Sequence, residues 1–348
     1  ALNEDDHYGL ASTLLYLGEM TWKRGDYGQA EKYLQEGLKY ARGIEDNDRT
    51  CAILANLGSI SWKGGDYKQA ETYLQEGLTL AHEMENLERT CELLQILGSV
   101  ERMQGNYARS EEYLQEGLTL ARQIGEREFI CIILLNLGAM ANEQGNYEQA
   151  TTYLQEGLLL ARQLNHSEWI SALLNNLGDS AIEQGNYEQA IVYFQEGLEL
   201  ARKIGHREWI SSLLINLGIT ARKVENYLLA ENYLQESLSL ARQIGIPQIT
   251  SYVFYEYGNL RLDQHMPDQA EGNFKEMLTI APEGGQYLIT LAQYGLARVA
   301  RIKGRLEEAK ELGKESVTAL ESMQLREAQE VRSWLRSLQE NIDKKSEE

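Results

Sequence analysis

The chain has 348 residues, and 53 Asp and Glu against 33 Lys and Arg give it a formal net charge of -20. That balance opposes attraction to phosphate backbones and anionic bilayers, so neither nucleic acid nor a membrane is an expected partner. Three prolines, 30 glycines, 43% hydrophobic and 25% charged residues fit a helix-rich globular chain and exclude collagenous, disordered and disulfide-scaffold classes.

The sequence opens at Ala1 with neither an initiator Met nor a secretory leader, which reads as a piece of a longer protein. No helix resembling an N-terminal cap precedes Tyr8, and this points to a further domain on that side. From there Gly18, Gly58, Gly98, Gly138, Gly178, Gly218 and Gly258 recur every 40 residues without drift. Length alone suggests two or three domains. The recurrence predicts instead one repeat array over 1–325, with seven regular copies and a degenerate eighth.

The second copy shows the unit. Ile53, Leu54, Leu57 and Ile60 have helical spacing in a first helix, helix A, which stops at Gly64-Gly65. Asp66 caps helix B, and Gln69, like Gln149 and Gln189, sits three residues on, where a capping box is expected. Helix B carries Tyr67, Ala70, Leu74, Leu78 and Ala81 on one face. Gly77, Gly117, Gly157 and Gly197 stand inside helix B although a mid-helix glycine costs about 1 kcal/mol relative to Ala. Repetition of that cost predicts close approach of a neighbouring helix, there and at the Gly58 column. Arg42, Arg122, Arg162, Arg202 and Arg242 lie in the last turn of helix B, where cations complement the helix dipole. The Glu36, Glu76, Glu116, Glu156 and Glu196 column reads as a solvated face.

Cys51, Cys91 and Cys131 share one column, which Ser171, Ser211 and Ser251 take over later. Equivalent residues of stacked hairpins lie beyond the roughly 7 Å Cα separation a disulfide permits, so the column reads as small packing residues and the thiols as reduced, in a cytoplasmic setting. Five scattered histidines offer no metal-ligand spacing, and no phosphate loop, nucleophile elbow or dinucleotide fingerprint is present. The expectation is a non-enzymatic chain without metal or cofactor.

The last copies depart from the pattern. His265-Met266-Pro267 replaces the Gly-Asn-Tyr turn, and Pro247 and Pro282 fall in interhelical loops, so the geometry is expected to loosen there. The eighth copy slips by one residue, with Ala297 in the glycine column, Gly304 at the turn and Gly313 where Leu is expected. Ala328, Val331, Leu335 and Leu338, with Trp334 beside them, predict a capping helix over 326–342, because a final repeat otherwise exposes its core face. Residues 343–348 are expected to be a disordered tail.

Leu57-Gly58, Gly65-Asp66-Tyr67, Ala70, Tyr73-Leu74 and Leu78 together resemble the tetratricopeptide repeat signature, in a 40-residue, long-helix form. The array is similar to those of bacterial signal-transducing ATPase regulators of the maltose-activator type, spindle-orientation adaptors and kinesin light chains. The resemblance implies an all-α, right-handed α-solenoid of helical hairpins whose A helices line an extended groove. It further implies a protein or peptide partner in that groove and an attached N-terminal effector or ATPase domain in a bacterial signalling protein. A free-standing adaptor and a small-molecule inducer sensor are the alternatives.

Two residues before the glycine column the copies read Tyr16, Asn56, Ile96, Asn136, Asn176, Asn216 and Glu256. Asn offers a donor and an acceptor to an extended backbone, and this column is similar to the asparagine ladder of related peptide-binding arrays. The other reading is that these residues bond within their own hairpin. Trp22, Lys23, Trp62, Lys63 and Arg102 would flank the N-terminal part of the groove and suit an apolar or acidic segment. Asn142, Glu143, Asn175, Asp179 and Glu183 would line the middle and suit a basic or amine-bearing one, with Arg222 beyond. Trp22 and Trp62 have a packing reading as well, and Trp169 and Trp209 read as core.

Overall fold

The computed structural model describes residues 4–281, 285–323, 325 and 327–347, in which seventeen α-helices and no strands occur. The first helices of the hairpins are α1 (Glu4–Lys23), α3 (Asn47–Lys63), α5 (Leu87–Met103), α7 (Arg127–Glu143), α9 (Ser167–Glu183), α11 (Arg207–Lys223), α13 (Pro247–Asp263) and α15 (Gln286–Ile302). Their partners are α2 (Tyr27–Gly43), α4 (Tyr67–Glu83), α6 (Tyr107–Ile124), α8 (Tyr147–Gln163), α10 (Tyr187–Ile204), α12 (Tyr227–Ile244), α14 (Pro267–Ile280) and α16 (Leu306–Ser322). A final helix, α17, covers Glu327–Glu347. The helices fall into two compact units, one ending at Met140 and one beginning at Ala141.

Sequence suggests a 40-residue period, but the backbone repeats every 20. The chain enters the left-handed region at Gly25, Glu45, Gly65, Glu85, Gly105 and Gly125, and on at the same interval as far as His265. At each such turn except that of Gly245, whose own N–H donates to Ala241 O, the next N–H donates to a carbonyl five residues back, as Asp46 does to Ala41 and Asp66 to Ser61, the bond that closes a Schellman motif. This closure consumes the cap N–H that a capping box needs. The expectation for Gln69, Gln149 and Gln189 is therefore corrected: Asp66 Oδ1 accepts only the Gln69 backbone N–H at 3.0 Å, and Gln149 Nε2 donates to the Tyr153 hydroxyl at 3.1 Å. His265 keeps the turn at φ 59, with Met266 N donating to Arg261 O at 2.8 Å, so no loosening occurs there. Pro247 and Pro267 are the first residues of α13 and α14, where their fixed φ favours the helix start. Pro282 lies outside the described residues.

In the first unit, Ala11, Leu34, Leu38, Ile53, Leu54 and Leu57 join α1, α2 and α3, and Ala55, Leu74, Leu78, Leu93, Leu94 and Leu97 join α3, α4 and α5. The glycine columns perform the expected service. A Cβ on Gly58 would stand 2.5 Å from Leu74 of the same hairpin, and one on Gly77 would stand 3.0 Å from Leu93 of the next. The cysteine column is likewise structural: Cys51 Sγ donates to Gly77 O at 3.4 Å, and Ser171 Oγ to Gly197 O at the same distance. Burial pushes all three thiols up to about 11.

In the second unit the same scheme runs from α9 to α13, with Phe194 in place of Leu against Gly178. Phe274 then sits between Gly258 of its own hairpin and Gly295 of α15. Gly313 has a specific reason to replace Leu: a Cβ there would lie 2.7 Å from Leu335 and 2.9 Å from Trp334 of α17. Ala328, Val331 and Leu338 are buried against α15 and α16. Helix α17 runs five residues past 342, since neither Gly nor Pro interrupts it before Glu347.

Candidate functional site

The B helices are occupied with holding neighbours. Arg42 pairs with Glu76, Arg162 with Glu196 at 2.6 Å and Arg202 with Glu236 at 2.5 Å, each Arg reaching a Glu 34 residues on. The arginine column is thus more than dipole compensation, and its glutamates are more than a solvated face: together they rivet one B helix to the next. Each pair is about half exposed, where an ion pair contributes on the order of 0.5 kcal/mol.

The A helices hold the predicted site residues. In the first unit, Asn56 and Asn136 are half-buried on α3 and α7. Asn56 Nδ2 donates to Ala52 O at 3.0 Å, one turn back in its own helix, and reaches Glu19 Oε1 at 3.5 Å. Trp22 and Trp62 are half-buried against the cores that their own hairpins share with the next A helix, which fits the packing reading, while Lys23 and Lys63 beside them are exposed. Arg102 is half-buried on α5.

In the second unit the polar residues form a network. Asn142 is a strut between α7 and α9: its Nδ2 donates to Asn176 O at 2.9 Å and its Oδ1 accepts from Ser180 Oγ at 2.6 Å. Asn176 donates to Ala172 O at 2.9 Å. Asn216 on α11 donates to both Asn175 Oδ1 and Asp179 Oδ1 on α9, each at 3.0 Å, and Asn175 donates to Asp179 Oδ2 at 3.4 Å. Glu143 and Glu183 are exposed, and Glu183 accepts from the Tyr147 hydroxyl at 3.3 Å.

Arg222 is spent on structure. It pairs with Asp263 at 2.7 Å and with Glu256 at 3.4 Å, and its side chain is 13% exposed. Glu256 takes the asparagine position in the seventh copy and is buried; desolvation raises its carboxyl above the usual range, opposed mainly by Arg222. Asn259 Nδ2 donates to Glu256 at 3.4 Å, and its Oδ1 accepts from Arg298 at 2.7 Å. Asn259 and Glu256 were visible as column members, but their pairing with Arg222 and Arg298 was not. Offsets of 34 and 39 residues reveal these contacts only when columns are compared across neighbouring copies. Read that way, Glu19 with Asn56 and Asp179 with Asn216 are the same diagonal.

Trp169 and Trp209 are half-buried beside the histidines that cap α9 and α11, where His166 Nδ1 and His206 Nδ1 accept the Trp169 and Trp209 backbone N–H at 3.3 Å. The His166 ring stacks on Trp169 with centroids 3.7 Å apart. Among the described residues no cluster of His, Cys, Asp or Glu could hold a metal ion, and no helix is long and apolar enough to cross a membrane.

The tetratricopeptide repeat family model matches residues 9–83, 89–163, 129–203 and 169–243. The chain belongs to the tetratricopeptide repeat family. Among solved structures, this tetratricopeptide array is similar to a signal transduction ATPase with numerous domains that carries a tetratricopeptide repeat sensor, from Pyrococcus horikoshii. That likeness has 20% identity and a TM-score of 0.64, and covers 94% of this chain but 50% of the other. A Rap protein complexed with competence and sporulation factor matches at 13% identity and TM-score 0.61, over 98% of this chain and 99% of that one. The apo form of RapI matches at 18% identity and TM-score 0.60, over 77% and 98%. At these identities the likeness is one of fold. The sequence matches none of the curated proteins with which it was compared.

Proposed function

We propose that this tetratricopeptide array is a non-enzymatic scaffold that binds an extended peptide or partner segment along the face of its A helices. The observation that carries the reading is the asparagine column. It leaves half-buried polar side chains on successive A helices, Asn176 and Asn216 in the second unit and Asn56 in the first, while the B helices spend their charges on one another. A rigid row of polar groups set among buried Leu and Ala fixes a ligand at regular intervals, and residues that differ from copy to copy supply selectivity.

The fold likeness to a protein described as having a tetratricopeptide sensor, of which this chain spans half, supports placing the array as the sensing part of a larger signal-transduction protein. The Rap structure, solved as a complex with competence and sporulation factor, supports ligand binding by an array of this size. Buried, protonated thiols suit a reducing, cytoplasmic setting.

A peptide-array screen with the full chain tests the reading. Changing Asn176 and Asn216 together to Ala should weaken the best binder about tenfold or more, equivalent to about 1.4 kcal/mol, and should leave helicity unchanged. An array that binds no peptide, while a metabolite panel raises its melting temperature, would favour the small-molecule sensor and sink the peptide reading.

A further inference from the structure

An asparagine ladder that clamps a peptide backbone needs a free N–H and a free carbonyl on each side chain. Here the amide nitrogens are already engaged. Asp179 settles which end of each neighbouring amide is nitrogen, because an ionised carboxylate only accepts. Both amide hydrogens of Asn216 are used, one on Asp179 Oδ1 and one on Asn175 Oδ1, at 3.0 Å each, and Asn175 turns its own nitrogen to Asp179 Oδ2 at 3.4 Å. Asn176 directs its nitrogen to Ala172 O.

The oxygens are left. Among the described residues Asn216 Oδ1 and Asn176 Oδ1 accept no hydrogen bond, yet neither is a buried unpartnered atom, so both retain contact with solvent. The first unit repeats the arrangement independently: Asn56 sends its nitrogen to Ala52 O and toward Glu19, which occupies the column of Asp179. In both places a carboxylate one repeat earlier takes the amide nitrogen.

We infer that the Asn176, Asp179 and Asn216 face of the second unit is a donor-reading subsite, which takes a basic segment through its Lys or Arg side chains and rejects an acidic one. The inference rests on the A-helix face being the binding surface. For Asn216 to donate to a ligand carbonyl it must release its bond to Asn175 or the charge-assisted one to Asp179, so the orientation is held against that use. The surrounding charges agree. Glu183 is exposed one turn further along α9, and Asp179 and Glu256 are both felt at the Tyr252 hydroxyl on α13. Of the cations, Arg222 is committed to Glu256 and Asp263, and Lys223 is exposed at the end of α11.

The test uses the full chain and two capped peptides of equal length, one with Lys and one with Glu at every third position, at roughly 0.3 M salt, where exposed charges more than about 6 Å apart are largely screened. The Lys peptide should bind at least about tenfold more tightly. Asn216→Leu, and separately the isosteric Asp179→Asn, which frees the amide to turn, should each cut that preference severalfold with unchanged helicity. Equal affinity for the two peptides, or a Lys preference that survives both substitutions, overturns the inference while leaving the binding surface intact. If neither peptide binds, arginine amide separates the two readings. A melting-temperature rise with wild type but not with Asp179→Asn keeps the donor-reading subsite and removes the peptide reading alone; silence from all three probes removes both.

Discussion

Glu45, Glu85 and Glu225 each hold φ between 53 and 58, a conformation in which a Cβ crowds the backbone. Equivalent turns use Gly125, Gly205 and Gly245 in place of Glu45 and Glu85, and Gly145 and Gly185 in place of Glu225, and these adopt it freely. Replacing Glu45, Glu85 or Glu225 by Gly should therefore raise stability by about 0.5–1 kcal/mol each, read as a higher urea midpoint at unchanged m-value; a fall in the midpoint would show that the glutamate side chains make compensating contacts. The same residues explain what the sequence concealed. Glycine marks only some of the left-handed turns, so the 20-residue backbone period is masked wherever Glu, Asn or His stands in. The A-helix asparagines were legible as a column, whereas the direction of each amide was not, because it depends on a carboxylate 37 residues earlier whose position follows from the stagger between hairpins.

Among the elements, α17 shows most directly how a local exception encodes a long-range contact. Its stripe of Ala328, Val331, Leu335 and Leu338 was readable from spacing, while Gly313 read only as a lapse from Leu. The lapse makes room for Trp334 and Leu335, and Trp334 is further held edge-on to Tyr294 at 5.6 Å with Arg301 over its ring at 5.8 Å. Gly313→Leu should displace the helix. We expect a loss of about 2–3 kcal/mol, a red shift in tryptophan fluorescence, and rapid amide exchange confined to α15, α16 and α17. Protection retained in α17 would mean that the groove beside Gly313 tolerates bulk.

For the whole molecule, alkaline pH is the exposed flank. Burial pushes Cys51, Cys91 and Cys131 up to about 11 and Tyr255 and Tyr257 up to about 12, with Tyr252 raised well beyond its ordinary value. The unfolded chain releases these protons first, so between about pH 9 and 12 the folded state binds more of them, and stability falls as pH rises. The melting temperature should hold steady below about pH 8.5 and drop progressively above it. Changing all three cysteines to Ser, the residue that later copies use in that column, should blunt the early part of the drop; a profile unaltered by that change would assign the alkaline loss to the tyrosines alone.

The identical turns and the fixed reach of Arg to Glu have a consequence for how such a chain changes length. Copies that end with the same backbone bond and carry Arg42, Arg162 or Arg202 present the same charge to their successors, so excising or duplicating 40 residues at such a junction within either unit rejoins surfaces that already fit. Point substitution alters the selectivity of one rung, while recombination between copies alters how many rungs exist and in what order. Gains and losses of whole copies are therefore expected to leave seams no different from the junctions beside them, and the span available to a bound segment can be revised without a new fold being found.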